Sequence, residues 1–544
     1  MYIIGVSAYY HDSSACLFKD DKLIFACEEE KFTGIKHDSS FPEKTIEYIF
    51  KHFNLTKSDI EAVCYYENPK LRFKRKKSFL TSLSTNIKVW WNLRKISKNV
   101  HYTSHHMSHM AYSYLSSNFD KALIVSVDGV GETSTVSIGK GINGFIHNIK
   151  TIEYPDSLGL YYSAMTAFLG FKPNEGEYKV MGLAAYGNPM KYRNNVARLI
   201  NFDGYKLNCN MDCFDWDRSK DTMFNHKLVE LLEIENRLPN DPLTQDHKDL
   251  AASVQERYEE VFFKLIKDAK IFYNSDNLCI GGGCAYNGCA NGKVVKSGLF
   301  KKLWVPPAPS DAGSCIGSCL HYLTSVKKLK VRLPATPFLG PSYTDNEILQ
   351  TLNKFGNKVF YRKHTTEKLY KRTAQYLSMG MVVGWFQDKI EFGARALGNR
   401  SILANPMVPD MQERINKVIK KREGFRPFAP MVIFDKQGEY FDSTEYIPYM
   451  NQVVNVKEKY RDKLPAVTHV DGTARVQSVT PYNPIYNLLK DFEERTDYPI
   501  LLNTSFNVKD KTMVLTPEDA ILTYLDTAMD ILVIGDYIIY KQVK

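Results

Sequence analysis

His105 and His109 stand four residues apart in His105-His106-Met107-Ser108-His109. On a helix that spacing sends both imidazoles out of one face, where they can share a cation, although surface or capping histidines produce the same pattern. Two carboxylates widen the donor set: Asp128, before Gly129-Val130-Gly131, and Asp311, in Pro309-Ser310-Asp311-Ala312-Gly313. Both are expected in loops, and Asp311 would serve equally as the N-cap of a helix starting near Ala312. Mixed imidazole and carboxylate ligands suit iron, manganese or zinc.

A second group of residues is suited to phosphate. The strand-like Leu278-Cys279-Ile280 runs into Gly281-Gly282-Gly283 and on to Asn287, a layout in which bare backbone and a helix N-terminus can approach an anion. Tight turns use triple glycines as well. Cations gather further on, Arg395 and Arg400 among glycines and Lys420, Lys421, Arg422 and Arg426 before Pro427-Phe428. Arginine forks grip phosphate in bidentate fashion, while no Walker or kinase glycine loop is present. Leu501-Leu502-Asn503-Thr504-Ser505 reads as a strand delivering amide and hydroxyl groups, fit for a carbamoyl amide or ribose, or simply for a turn.

The elements that must position these groups are α/β. Residues 2–8 and 14–28 predict a strand followed by a strand pair, turning at Lys19-Asp20-Asp21-Lys22 and bracketing His11-Asp12-Ser13-Ser14. Residues 122–138 repeat that layout around Asp128 and Gly129. Helices are predicted over 42–53, 367–379 and 409–421, and strands over 62–66 and 381–386. A proline-rich change of composition, PATPFLGPSYTD over 334–345, marks a boundary between domains 1–334 and 345–544.

Composition narrows the class. No apolar run reaches the roughly 18 residues that span a bilayer. Residues 1–14 lack an export signal, and the ten cysteines form no disulfide framework, so a cytoplasmic enzyme is expected. The formal charge of +10 resides in one strip: between Lys70 and Lys98 lie ten basic residues and no acid, with Phe73, Phe79, Trp90 and Trp91 interleaved. Such a strip suits an anionic acceptor, a membrane surface or nucleic acid, or is simply solvated.

Taken together, GVSAYYHDSSA (5–15), HHMSHMAYS (105–113), VDGVGE (127–132), EGEYKVMGLAAYG (175–187), GGGCAYN (281–287), PAPSDAGS (307–314), FGARALGNRSILANP (392–406), KKREGFRPFAP (420–430), ARVQSV (474–479) and LLNTSFN (501–507) resemble the O-carbamoyltransferase family of tobramycin, cephamycin and nodulation-factor carbamoyltransferases. The resemblance implies an N-terminal two-lobed domain of the actin and sugar-kinase type, like the tRNA threonylcarbamoyl transferase. It also implies a C-terminal α/β domain like threonylcarbamoyl-AMP synthase. ATP and carbamoyl phosphate, with Mg2+ accompanying the ATP, would form carbamoyl adenylate in the second domain. The first would pass the carbamoyl group to a hydroxyl of a natural product or saccharide. By the same resemblance His105, His109, Asp128 and Asp311 would hold iron(II), and His11 and Asp12 would serve transfer, His11 orienting or deprotonating the acceptor hydroxyl. Lys420, Arg426, Arg475, Asn503 and Ser505 would serve activation. Gly424 and the cysteine in GGGCAYN depart from the family pattern and bear on loop geometry. No nucleic-acid partner is expected; a fused tRNA threonylcarbamoyladenosine synthase and a non-enzymatic actin-like switch are the competing readings.

Overall fold

The computed structural model describes all residues except 73–78, 205, 220–221, 334–335 and 543–544, and leaves the side chains of 72 and 79–84 undescribed. Lys74–Lys77 and Phe73 of the basic strip therefore lie outside the described residues, as does the Phe79 side chain. The chain forms two units, one of Met1–Glu29 with Ser39–Ala335, the other of Glu30–Asp38 with Thr336–Lys544.

The first unit contains the same sheet twice. Strands β1 (Tyr2–Ser7), β2 (Ser14–Lys19), β3 (Lys22–Glu28), β4 (Ile60–Tyr65) and β5 (Val100–Tyr102) order as β3-β2-β1-β4-β5. The first three are antiparallel, and β4 and β5 join in parallel. Strands β6 (Lys121–Gly131), β7 (Ser134–Ile142) and β8 (Phe145–Glu153), a short hairpin of β9 (Ile200–Phe202) and β10 (Leu207–Cys209), then β11 (Asn277–Gly281) and β12 (Lys302–Trp304) follow. Apart from the hairpin they order as β12-β11-β6-β7-β8, the first arrangement read from its other edge, with the same pairing senses. This duplication defines the two-lobed actin and sugar-kinase architecture. The hairpins follow from their turns: Asp20 at φ 57° closes β2 on β3, and Asn143-Gly144, both at positive φ, closes β7 on β8. β1 is buried nearly throughout, as suits a central strand covered on both faces.

Two helices carry the histidines and one aspartate. His105–Leu115 begins directly after β5, and Asp311–His321 packs against it. Their approach depends on Gly317, where a Cβ would fall 1.9 Å from the Ser108 carbonyl oxygen. Any larger residue there would push Asp311 away from the histidines.

The second unit is built on an eight-stranded mixed sheet. Its strands β13 (Val359–Lys363), β14 (Val383–Phe386), β15 (Arg400–Ala404), β16 (Ala429–Ile433), β19 (Gln477–Val479), β20 (Ile500–Ser505), β21 (Ile531–Ile534) and β22 (Tyr537–Lys541) order as β13-β22-β21-β14-β15-β20-β16-β19, beside a small pair β17 (Val453–Asn455) and β18 (Thr473–Arg475). Alternation along β21 buries both faces: Leu532 and Ile534 join one apolar cluster with Ile348, Leu352 and Ile521, whereas Ile531 and Val533 join another with Leu369, Leu377, Leu488 and Phe492. Glu30–Asp38, inside the span expected for the first domain, belongs to this unit, and its Phe32 packs against Ile390, Ala396, Met513 and Leu515.

Candidate functional site

The histidine helix delivers what its spacing promised. Nε2 of His105 and Nε2 of His109 lie 3.0 Å apart. Asp128 Oδ2 stands 2.9 Å from the first and 3.1 Å from the second, and Asp311 Oδ1 lies 3.4 and 3.5 Å away. Asp128 is not in a loop, as expected, but in β6, where the ladder to β7 breaks between Val127 and Gly131 and releases the intervening residues from pairing. Asp311 is the first residue of its helix, after Ser310, so its carboxylate also complements the helix N-terminus.

This donor set fits a divalent cation. Ser314 Oγ lies 3.1 Å from His109 Nδ1, a contact that holds the ring and leaves Nε2 as the lone-pair donor when Nδ1 carries the proton. Asp311 Oδ2 is buried with no hydrogen-bond partner. Burial works to lower the His105 pKa, but the charge of Asp311 and the hydrogen bond with Asp128 lift it to about 9. Burial opposes the ionised Asp128, yet its hydrogen bonds with His105 and His109 hold the carboxyl well below the usual range. His106, by contrast, is pushed to about 3 by burial and by the His105 charge, and stays out of the cluster.

The three glycines support this cluster. A Cβ on Gly281 would meet the His109 carbonyl oxygen at 2.9 Å, and one on Gly283 would meet Asp128 Oδ1 at 3.1 Å. Gly282, at φ 88°, donates its N–H to Pro309 O at 2.8 Å, and a Cβ there would fall 2.2 Å from Val127 O. Gly129 donates to Asp128 Oδ1 at 2.8 Å. Asn287 caps the helix Gly288–Lys296, its Oδ1 accepting from Ala290 N at 3.1 Å, and exchanges two hydrogen bonds with Gln255. Its amide is thus committed to the fold.

His11 and Asp12 form a pair, Nδ1 to Oδ2 2.8 Å, and His11 Nε2 lies 3.2 Å from Asn174 O. Burial lowers the His11 pKa, but Asp12, through hydrogen bond and charge, and then Asp311 outweigh it and raise it to about 9. Asp12 is held at φ 41°, a left-handed conformation that shapes this loop.

In the second unit Lys420 is buried, and its Nζ donates to Ser505 O at 2.6 Å, Ser505 Oγ at 3.1 Å, Asn507 O at 3.0 Å and Asn507 Oδ1 at 2.5 Å. Burial, then the charges of Arg422, Arg426 and Lys36, pull its pKa well below the lysine range. Lys420, Ser505 and Arg426 are thus brought into one neighbourhood, and Arg426 pairs with Glu423 at 3.1 Å. Asn503 spends its amide N–H groups on Ala396 O and Gln477 Oε1, tying β20 to the preceding loop, while its Oδ1 is buried without a partner. Arg395 and Arg475 are half-buried, Arg475 at the end of β18.

Three features escaped sequence reasoning. Arg400, read as part of a phosphate-binding loop, is fully buried, donates to Asp388 O at 2.9 Å and lies 3.5 Å over the Phe386 ring. Glu391 organises the glycine and arginine loop, its Oε1 accepting from Leu397 N and Asn399 N at 2.8 Å and Arg400 N at 3.2 Å. Lys36 adds its charge at Lys420 from a segment far away in sequence. An acid just before a glycine-rich loop was the available signal for Glu391; Lys36 had none.

The first, duplicated two-lobed unit thus carries a buried imidazole and carboxylate cluster, and the second, α/β unit a buried lysine ringed by oxygens. The family models for carbamoyltransferase N-terminus and C-terminus match residues 2–88 with 75–320, and 374–541, and the chain belongs to the carbamoyltransferase family. It is a transferase. Nodulation protein NolNO of Sinorhizobium fredii is 35% identical over 98% of this chain and 80% of its own length. Nodulation protein NolO of Bradyrhizobium diazoefficiens is 36% identical over 81% of this chain and 79% of its own. Among solved structures, full-length HypF in the phosphate- and nucleotide-bound form gives a TM-score of 0.34 at 13% identity, covering 59% of this chain and 55% of that one. At that distance the likeness adds nothing to the topology itself. Among the described residues no helix is long and apolar enough to cross a membrane.

Proposed function

We propose that the chain is an ATP-dependent O-carbamoyltransferase working in two half-reactions, one in each unit. In the second unit, carbamoyl phosphate loses phosphate to water to give carbamate. A carbamate oxygen then attacks the α-phosphorus of ATP, pyrophosphate leaves, and carbamoyl adenylate remains. Lys420, Arg426 and Arg475 would neutralise phosphate charge. An anion beside Lys420 would offset the burial and the neighbouring positive charges that lower its pKa, and Ser505, already on Nζ, would orient it. Asn503 offers its unpartnered Oδ1, and Arg395 a further guanidinium.

In the first unit the acceptor hydroxyl attacks the carbamoyl carbon, the bond from that carbon to the AMP phosphate oxygen breaks, and the hydroxyl proton passes to the phosphate of the departing AMP. His105, His109, Asp128 and Asp311 would hold a divalent metal, iron(II) in this reading, which would supply Lewis acidity there. His11, paired with Asp12, would orient the acceptor hydroxyl or the carbamoyl group. Gly129 and Gly281–Gly283 shape this centre, and Asn287 secures the helix behind them. The acceptor is a small-molecule or saccharide hydroxyl, as the relationship to nodulation proteins favours.

The observation carrying this reading is the convergence of four ligand atoms from a histidine helix, β6 and a second helix in a buried place. The test is to supply ATP and carbamoyl phosphate with candidate saccharide and natural-product acceptors. Pyrophosphate release that requires carbamoyl phosphate, together with an acceptor heavier by one carbamoyl group, is expected. ATP hydrolysis indifferent to carbamoyl phosphate would favour a nucleotide switch, and co-purifying tRNA would favour tRNA modification.

A further inference from the structure

The helix Phe79–Ile96 presents a face that none of the chemistry above uses. It buries Val89, Asn92, Leu93 and Ile96, and Asn92 Nδ2 donates to Tyr9 Oη at 2.7 Å, fixing that side to the body of the first unit. The opposite side shows large apolar groups at helical spacing: Ile87 is 50% exposed, Trp90 45% and Trp91 60%. Lys88, Arg94, Lys95 and Lys98 surround them, all exposed, and from Asn68 to Phe119 the sequence contains no Asp or Glu.

We propose that this face seats the protein on an anionic bilayer surface. An exposed Ile and two exposed indoles between basic groups match a helix lying at the headgroup boundary, where indoles partition and lysines meet acidic headgroups. The charge is complementary and of one sign. Single-stranded nucleic acid suits the geometry less well. The Trp90 and Trp91 rings stand at 85° to each other and so offer no pair of parallel planes to successive bases, and Arg94 already lies 5.2 Å over Trp90.

The test uses the full chain with vesicles of phosphatidylcholine alone and of phosphatidylcholine mixed with phosphatidylglycerol, read by co-sedimentation at low and physiological salt. Partition to the mixed vesicles at least about tenfold above the neutral ones, weakening with salt, is expected. Trp90→Ala with Trp91→Ala, and separately Lys95→Glu with Lys98→Glu, should each lower it roughly tenfold. All four side chains are exposed, so both variants should keep the wild-type circular dichroism. No preference for anionic vesicles, wild-type partition in both variants, or binding to a single-stranded polynucleotide without binding to vesicles would overturn the proposal.

Discussion

The two polar centres of this molecule are built from different kinds of group, imidazoles and carboxylates in the first unit, a lysine and arginines in the second. In the first unit, two imidazoles and two carboxylates point lone pairs at a common place, with Nε2 atoms 3.0 Å apart and Asp311 Oδ2 left without a partner. In the second, a buried lysine has four oxygens of Ser505 and Asn507 around its Nζ, with Arg422, Lys36 and the Arg426–Glu423 pair nearby. In the proposed reading the first arrangement would take a cation and the second an anion. On that reading, separate units would let adenylation and hydroxyl attack each have the field it needs.

The contrast can be broken most severely at the histidines. His109→Ala removes one ligand and the ring that Ser314 holds, and metal content measured by mass spectrometry should fall from about one ion per chain to near none; full occupancy in that variant would remove the assignment. Ser314→Ala is gentler. It leaves four ligands but frees the imidazole, and metal affinity should drop by about 10 to 100-fold in a competition titration with a chelator. Smallest is Asn287→Ala, which deletes a helix cap and the tie to Gln255; a loss of about 1 kcal/mol by denaturant unfolding is expected, with metal content unchanged. Metal loss there would show that the glycine-bearing segment is coupled to the cluster more tightly than its hydrogen bonds indicate.

Much of this contrast was legible in the sequence. Periodicity placed His105 and His109 on one helical face, Asp20-Asp21 in a hairpin turn, and the triple glycine after a strand. Spacing could not show that the β6 ladder breaks at Val127 and turns Asp128 toward the histidines, because a bulge leaves no period of its own. Nor does an arginine among glycines reveal whether it faces solvent, phosphate or, as for Arg400, the backbone carbonyls of its own loop. Nothing in the stretch Glu30–Asp38 sets it apart from the span 1–334, and only long-range packing through Phe32 assigns it to the second unit.

Half-reaction assays on two variants decide whether activation and transfer belong to different centres. Arg426→Ala should lose at least about a hundredfold in pyrophosphate release from ATP and carbamoyl phosphate, yet carbamoylate an acceptor when given preformed carbamoyl adenylate. His11→Asn should release pyrophosphate at the wild-type rate and fail to transfer. Loss of both half-reactions in both folded variants would contradict the account and require a single composite site.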